Sequence, residues 1–391
     1  MKILYTNFHP RNGGGHATYV TSLARAYAGD HDISVATPDT SRLFRYVSAI
    51  PGVRAIGMRF STRPSSWFGE RAALRRLIAQ ERYDIIHVNG SADHKQVMLA
   101  LIGLRHRPRV VFTKHNDHPL QSWGHRLRAA LATDHVIAVS DYVRDMLLAS
   151  PYQRLPITTI RHGIDTDYFA PLAVAGDEAS GRLNASADSS VSASERIRAL
   201  KDQYFGPGWQ DCLLFGSAGG TDYDKGWLDL VSAAGTLPPA LRSRIRILVA
   251  GDLPNDDKRA RVKAAGMQDQ VVFPGLLDDV RDALACCHVG FVLSYREALS
   301  YACREVMSLG LPALVSNAGG LPENVTDGHD GWIVPVRDTA AIAERLRWML
   351  QDPARVAQMG AAARRTAVEQ FGLARFAAAT LEVYGQALRG N

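Results

Sequence analysis

The chain has 391 residues, 46% hydrophobic and 21% charged, with a formal net charge of +6. That length exceeds one ordinary core and asks for two domains, and the composition excludes disordered and fibrous classes. No stretch approaches the roughly 18 consecutive apolar residues of a membrane-spanning helix, and Cys212, Cys286, Cys287 and Cys303 form neither a disulfide framework nor a CxxC metal spacing. A reducing cytosol is the expected setting. Charge is uneven. Residues 1–165 carry 22 Lys+Arg against 12 Asp+Glu, which leaves 23 against 27 for the rest. A basic first half is expected to meet an anionic partner, such as a phosphorylated acceptor or an anionic membrane surface. Arg-rich helices that merely solubilise that half fit equally well. No recognised nucleic-acid motif accompanies the charge, so nucleic acid is not expected.

MKILYTNF reads as a first strand and not as a signal peptide. ILYT, ISVAT, DIIHV, RVVFT and HVIAVS are short β-rich runs, and amphipathic stretches such as ATYVTSLARAYA, RAALRRLIAQ and HRLRAALA separate them. Strand–helix alternation at this spacing predicts a parallel sheet with helices on both faces. Residues 171–195, rich in Ala, Ser, Asp and Gly, read as a mobile linker or insertion, and RIRALKDQYF after it reads as a helix. The second half repeats the alternation with CLLFG, RIRILVAG, QVVFPG, VGFVLS and PALVS. From Thr339 to Leu388 the chain reads as almost entirely helical. The expected organisation is a first Rossmann-like domain over 1–170, the linker 171–195, a second Rossmann-like domain over 196–372 and a C-terminal helix over 373–391.

Chemistry concentrates in three places. Glu297 and Glu305 stand eight residues apart in SYREALSYACREV. The first falls in the loop at a strand's C-terminal end and the second on the helix that follows. Open α/β sheets bind ligands at that edge. Two carboxylates there suit a ligand with hydroxyls and developing positive charge, although a helix cap and a solvated helix residue would look the same. The loop HPRNGGGHATYV places Gly13, Gly14 and Gly15 between a first strand and a helix, where backbone can approach a ligand closely. It is neither G-x-G-x-x-G nor a P-loop. Asp222-x-Asp224 invites a metal reading, yet it lies in a loop with a lysine and glycines, and a structural role is the simpler reading. Cys286-Cys287 beside His288 reads as core packing.

Taken in order, GGGHATYV, DIIHVNG, VFTKHND, VIAVSDYVRDML, IRHGIDTDYF, the DKG of TDYDKGW, VVFPG, the Glu-x7-Glu block and GGLPENVTDGHDGWIVP resemble the family 4 glycosyltransferases, the retaining group 1 enzymes of GT-B fold. The resemblance covers nearly the whole chain apart from 171–195. It implies two Rossmann-like domains facing each other across a cleft, a C-terminal helix over 373–391 that crosses back to the first domain, and transfer of a sugar from a nucleotide-sugar donor. By this resemblance Glu305 grips the ribose hydroxyls, Glu297 lies near the donor sugar and its leaving phosphate, and Ala298, Leu299 and Ser300 line that region. Lys225 meets the diphosphate, His115 contacts the donor sugar, and Gly14 and Gly15 pack against diphosphate and sugar. Catalytic roles fall to Glu297, His115 and Lys225. Such enzymes generally work without a bound metal, so neither a metal nor a cofactor is expected.

Three departures from the family pattern stand out. The usual Arg about five residues before the KG lysine is absent, and Gly220 occupies that spacing. Gly219 and Gly220 are then expected to supply backbone amides, or another cation substitutes. The stretch after the first Glu is EALS and not the commoner EGFG, so sugar selectivity does not carry over. The junction motif is HGID, with His162 where Asn is common.

The acceptor is read from 63–82, where Trp67 and Phe68 join Arg71, Arg75 and Arg76. An interfacial helix on anionic lipid, an acceptor-phosphate site and a plain sheet-covering helix all fit. The functional form of that reading implies a glycan or lipid-linked acceptor in lipopolysaccharide or cell-surface polysaccharide biosynthesis, on a cytoplasmic protein peripheral to the inner membrane face. A non-catalytic nucleotide-sugar-binding protein on the same fold and a GT-B-like epimerase or phosphorylase are the alternatives.

Overall fold

The computed structural model describes residues 1–10, 14–61, 67–172 and 192–390, with Trp67 as backbone only. Gly13 and residues 173–191, most of the linker reading, lie outside the described residues. The chain divides into two compact units, Met1–Gly163 with Leu373–Asn391, and Ile164–Gly372.

The first unit is built on seven strands: β1 Lys2–Thr6, β2 Asp32–Thr37, β3 Val53–Gly57, β4 Ile85–Val88, β5 Arg109–Lys114, β6 His135–Ala138 and β7 Ile157–Thr159. They form one parallel sheet of order β3-β2-β1-β4-β5-β6-β7. The second unit has six: β8 Leu213–Ser217, β9 Ile245–Val249, β10 Val271–Val272, β11 Val289–Val292, β12 Ala313–Ser316 and β13 Gly331–Val334. Their order is β10-β9-β8-β11-β12-β13, again all parallel. Helices cover both faces, so the central strands are buried throughout and read as continuous apolar runs. In each sheet the strand order reverses once, between β1 and β4 and between β8 and β11. Two loops part there and leave a crevice at the strands' C-terminal edge.

The edge strands β3, β7 and β13 are not among the strands expected from sequence. β3 and β7 have no fully buried position and so lack a run of apolar residues. The tail is helical as Thr339–Gln351, Pro353–Gln370 and Leu373–Arg389. Asp352 ends the first of these. Its carboxylate accepts from the Arg355 amide at 3.0 Å, and Pro353 opens the next helix.

The boundary between units follows from pairing. Ile164 bridges Gly372, and its amide donates to the Phe371 carbonyl at 2.8 Å. Residues 164–170, placed with the first domain on sequence grounds, therefore belong to the second unit. The helix Leu373–Arg389 belongs to the first. A buried polar chain holds it there. The Tyr384 hydroxyl lies 2.9 Å from the Tyr5 hydroxyl and 2.6 Å from His87 Nδ1, and His87 Nε2 lies 2.6 Å from Thr113 Oγ1. Tyr27 donates to the Ala377 carbonyl at 2.5 Å. All these side chains are buried, so each unmade bond would carry a desolvation cost.

Tyr384→Phe removes one hydroxyl and leaves both Tyr5 and His87 short of a partner. The expected loss is about 1–3 kcal/mol of unfolding free energy, read as a lower urea midpoint with an unchanged slope.

Candidate active site

In the second unit the crevice is lined by the turn after β8 and the loop after β11. The turn Tyr223–Lys225 ends at Gly226, whose φ is +68°. A Cβ built on Gly226 would stand 1.9 Å from the Leu293 carbonyl oxygen. Only glycine allows this approach. It lets the Tyr295 amide donate to the Asp224 carbonyl at 2.8 Å, which stitches the two loops together. The stitch brings Lys225 Nζ to 3.9 Å from Glu297 Oε2, with the side chains 31% and 23% exposed. Asp222 and Asp224 are exposed and shape this turn. Among the described residues no group of three or more His, Cys, Asp or Glu is arranged to hold a metal ion. Cys286 and Cys287 are buried, and both thiols donate to the Ala283 carbonyl.

The loop from Glu297 to Ser300 is held from behind. The Gly320 amide donates to the Glu297 carbonyl at 3.0 Å, and Asn324 Nδ2 donates to the Leu299 carbonyl at 2.6 Å. Asn324 is itself fixed by Arg304, whose Nε donates to its Oδ1 at 2.8 Å. Arg304 is fully buried with its guanidinium 4.2 Å from the Phe371 ring centroid. Ser300 takes φ +96°, a rare conformation for a non-glycine residue. Its hydroxyl accepts from the Cys303 amide at 3.3 Å and caps the helix Tyr301–Ser308. Ala298, Leu299 and Ser300 are buried beneath this turn.

Glu305 lies on the same helix. Its carboxyl has no hydrogen-bond or ionic partner among the described residues, and desolvation raises its pKa from 4.5 to about 7. Between those values the folded state holds the proton more tightly than the unfolded chain does. This carboxyl therefore costs stability as pH climbs from 4.5 through 7, and the cost is constant above.

The missing phosphate-loop arginine leaves a glycine contact. Gly220 has φ +90°, and Gly251 passes so close that a Cβ on it would lie 2.7 Å from the Gly220 Cα. The Gly219 amide donates to Ser217 Oγ at 3.2 Å.

In the first unit the corresponding crevice gathers histidines. His115, at the end of β5, has Nε2 2.8 Å from Asn89 Oδ1. Asn89 Nδ2 donates to the Thr6 and His87 carbonyls at 3.2 and 3.3 Å, which fixes its amide. Its Oδ1 is then an acceptor, so His115 Nε2 carries the proton and Nδ1 is the lone pair. His16 stacks on His115 with centroids 4.3 Å apart, and His9 stands 4.6 Å from His16. His9 Nε2 and His16 Nδ1 are buried without a partner among the described residues. Burial keeps all three rings neutral, with His16 lowered to about 3 and His115 well below the usual imidazole value. Asp93 ties the two loops of this crevice together. It accepts from Thr6 Oγ1 at 2.8 Å and from the Asn89 and Gly90 amides at 3.0 and 3.2 Å. Gly14, at φ +48°, and Gly15 open the helix Gly14–Tyr27.

Sequence reasoning missed His9, His16, Asn89 and Asp93. Their only common signal is position, just after β1 or β4 or at a helix start. Lys114 was missed as well. It is buried at the end of β5, its ammonium donates to Asn116 Oδ1 and the His118 carbonyl at 2.7 Å each, and burial lowers its pKa to about 8. The acceptor candidates lie elsewhere in the unit, on the helix Trp67–Glu81. Arg75 is engaged there. It donates to the Ala100 carbonyl at 3.0 Å and the Gly103 carbonyl at 3.1 Å, closing the end of the helix Ser91–Leu101. Arg76 is exposed, Arg71 is half-buried, and Phe68 is 80% exposed.

Residues 13–168 match the family model for Glycosyltransferase Family 4, and residues 210–366 match that for Glycosyl transferases group 1. The chain belongs to the family 4, group 1 glycosyltransferases. Among curated relatives of this family 4 member, the D-inositol 3-phosphate glycosyltransferase of Streptomyces bingchenggensis is 33% identical over 160 residues, 39% of this chain and 35% of that protein. The match thus spans about a third of that relative's length. The alpha-maltose-1-phosphate synthase of Mycolicibacterium smegmatis is 28% identical over 98% of both chains. Among solved structures, a glycosyltransferase of Rickettsia africae superposes with TM-score 0.81 at 17% identity, covering 100% of this chain and 99% of its own. Anabaena HepE in complex with UDP and glucose gives 0.79 at 18%, covering 98% and 99%. These likenesses carry the fold, which is GT-B.

In this family 4 glycosyltransferase the Gly226 approach is the most constrained point of the second unit's site. Gly226→Ala must move Leu293 or reopen the turn. A loss of about 2 kcal/mol or more is expected, together with lost nucleotide binding, read by urea unfolding and calorimetry on one preparation.

Proposed function

We propose that the protein is a retaining glycosyltransferase that moves a sugar from a nucleotide-sugar donor to a glycan or lipid-linked acceptor in cell-surface polysaccharide or lipopolysaccharide synthesis. The observation that carries this reading is Glu305. A half-buried carboxyl with no partner among the described residues, on the helix that follows the Glu297 loop, is left for a ligand to complete. Two vicinal ribose hydroxyls supply two donors for its two oxygens. UDP-glucose chemistry is the first to test, since HepE was crystallised with UDP-glucose.

In this reading the donor lies on the second unit. Its diphosphate meets Lys225 and the amides at the start of the helix Tyr301–Ser308. The bond from the sugar's anomeric carbon to the diphosphate oxygen loosens, and the ring gains oxocarbenium character that the Glu297 carboxylate stabilises. Charge gathers on the diphosphate, where Lys225 offsets it. The acceptor hydroxyl attacks the face the diphosphate is leaving and gives its proton to the departing oxygen, so configuration is kept. On the first unit, neutral His115 offers Nδ1 as acceptor to a ligand hydroxyl, and the His16 and His9 rings back it. No resident metal or cofactor enters this scheme.

Calorimetric titration with UDP-, GDP-, ADP- and CMP-linked sugars tests the reading. One donor should bind, with at least tenfold weaker affinity in Glu305→Ala and in Lys225→Ala. Because binding needs the ionised Glu305 carboxylate, affinity should rise about tenfold from pH 6 to pH 8 and then level off. Unchanged affinity in both variants would remove these residues from the donor site.

The exposed Phe68 and Arg76 on the helix Trp67–Glu81 support a membrane-linked acceptor. Flotation with phosphatidylglycerol vesicles at low salt should carry the protein upward, and Phe68→Ser with Arg76→Glu should abolish it. Wild-type protein that stays at the bottom would dismiss the membrane part alone.

A further inference from the structure

A groove of about 990 Å³ runs along the helix Trp227–Gly235 in the second unit, and none of Lys225, Glu297 and Glu305 lines it. Its walls carry Asp229, Tyr295, Arg337, Arg242 and Lys263. Three features are not explained by packing. One Asp229 oxygen accepts from the Tyr295 hydroxyl at 3.2 Å, while the other, Oδ2, is buried with no partner among the described residues. Arg337 holds a φ of +63°, a conformation that favours glycine, and its guanidinium lies 4.2 Å from the Tyr295 ring centroid. Arg242 reaches only the Gly235 carbonyl, at 3.4 Å, and neither it nor Lys263 has a carboxylate partner among the described residues.

The two sets of groups ask for one kind of ligand. The orphan Asp229 oxygen needs a hydrogen-bond donor such as a hydroxyl. Arg242 and Lys263 offer charge to an anion with several acceptor oxygens, and Arg337, whose charge already bears on Asp229, stands between the two ends. Arg261 does not contribute freely, since it is tied to Asp257 at 3.0 Å. A carboxylate ligand would face Asp229 unfavourably if it lay near that wall, whereas a polyol with a phosphoryl group at one end satisfies both. We propose that this groove is a second ligand site, taking a small phosphorylated polyol of the sugar-phosphate class. Its hydroxyls donate to Asp229, and its phosphoryl group meets Arg242, Lys263 and Arg337. The inference goes beyond the transferase reading and does not depend on it. The groove does share chain with the donor loops, because Tyr295 lies two residues before Glu297, so the test has to separate the two sites.

Titration of glucose 6-phosphate into the full chain, with inorganic phosphate and glucose as companion probes, makes that separation. Glucose 6-phosphate is expected to bind, at least tenfold more tightly than either companion. Arg337→Ala and Lys263→Ala should each weaken it tenfold or more, and Lys225→Ala should leave it within twofold. Absence of binding, binding untouched by both groove variants, or binding lost in Lys225→Ala would overturn the assignment. Equal affinity for inorganic phosphate would overturn the polyol half of it. UDP-glucose titrated into the same variants keeps the two readings apart: loss in Lys225→Ala alone concerns the donor site, and loss in Arg337→Ala would move that guanidinium to the donor and overturn the groove.

Discussion

The second unit's site depends on one contact between backbones, where Gly226 passes the Leu293 carbonyl at a distance no side chain permits. Two loops from neighbouring strands would otherwise splay at the point where the strand order reverses. Their approach lets the Tyr295 amide bond to Asp224, and that bond sets Lys225 beside Glu297. The pair is weak as an ion pair, since both side chains are partly exposed and screened. Its value lies in placement: a cation and an anion are held at fixed separation before any ligand arrives. Arg304, Asn324 and Ser300 extend the same logic behind the loop, with a buried guanidinium, a buried amide and a strained backbone supporting residues that cannot support themselves.

Both units place costly groups at their crevices. The second holds a half-buried carboxyl that has no partner among the described residues. The first keeps three neutral imidazoles in contact, two of them with an unpartnered ring nitrogen. The rest of each unit is bought out of apolar burial on both sheet faces, which tolerates such local deficits. The pH signs oppose each other. The imidazoles lower stability as pH falls below their unfolded value near 6.5, because the unfolded chain then takes up the protons. The Glu305 carboxyl lowers it as pH rises toward 7.

Much of the fold was legible, and for a physical reason. Central parallel strands are buried on both faces, so ILYT, DIIHV, RVVFT and VGFVL announce themselves as apolar runs, and the helices between them as amphipathic ones. β3 and β7 did not, because edge strands need no such run. The placement of Glu297 after β11 and of Glu305 on the following helix was legible, because a carboxylate next to a buried strand is conspicuous. His9 and His16 were not: their meeting with His115 depends on three separate loops converging, which no local pattern encodes. Arg75 was misleading for the converse reason. In sequence it is one of a basic cluster, and only the folded chain reveals that its guanidinium closes a neighbouring helix. Arg337 gave no signal at all, since a left-handed arginine is identifiable only from its dihedral angles.

The hydrogen-bonded chain from Tyr384 through His87 has a consequence for biosynthesis. The first unit is assembled from two segments far apart in the chain, and its sheet is made long before the helix that covers it. On the ribosome the buried faces of Tyr5, Tyr27 and His87 stay uncapped while more than 200 further residues are synthesised, whereas the second unit can close as soon as Gly372 emerges. The order of completion is therefore the reverse of the order of translation. The nascent first half stays open to proteases and chaperones until the helix Leu373–Arg389 has emerged.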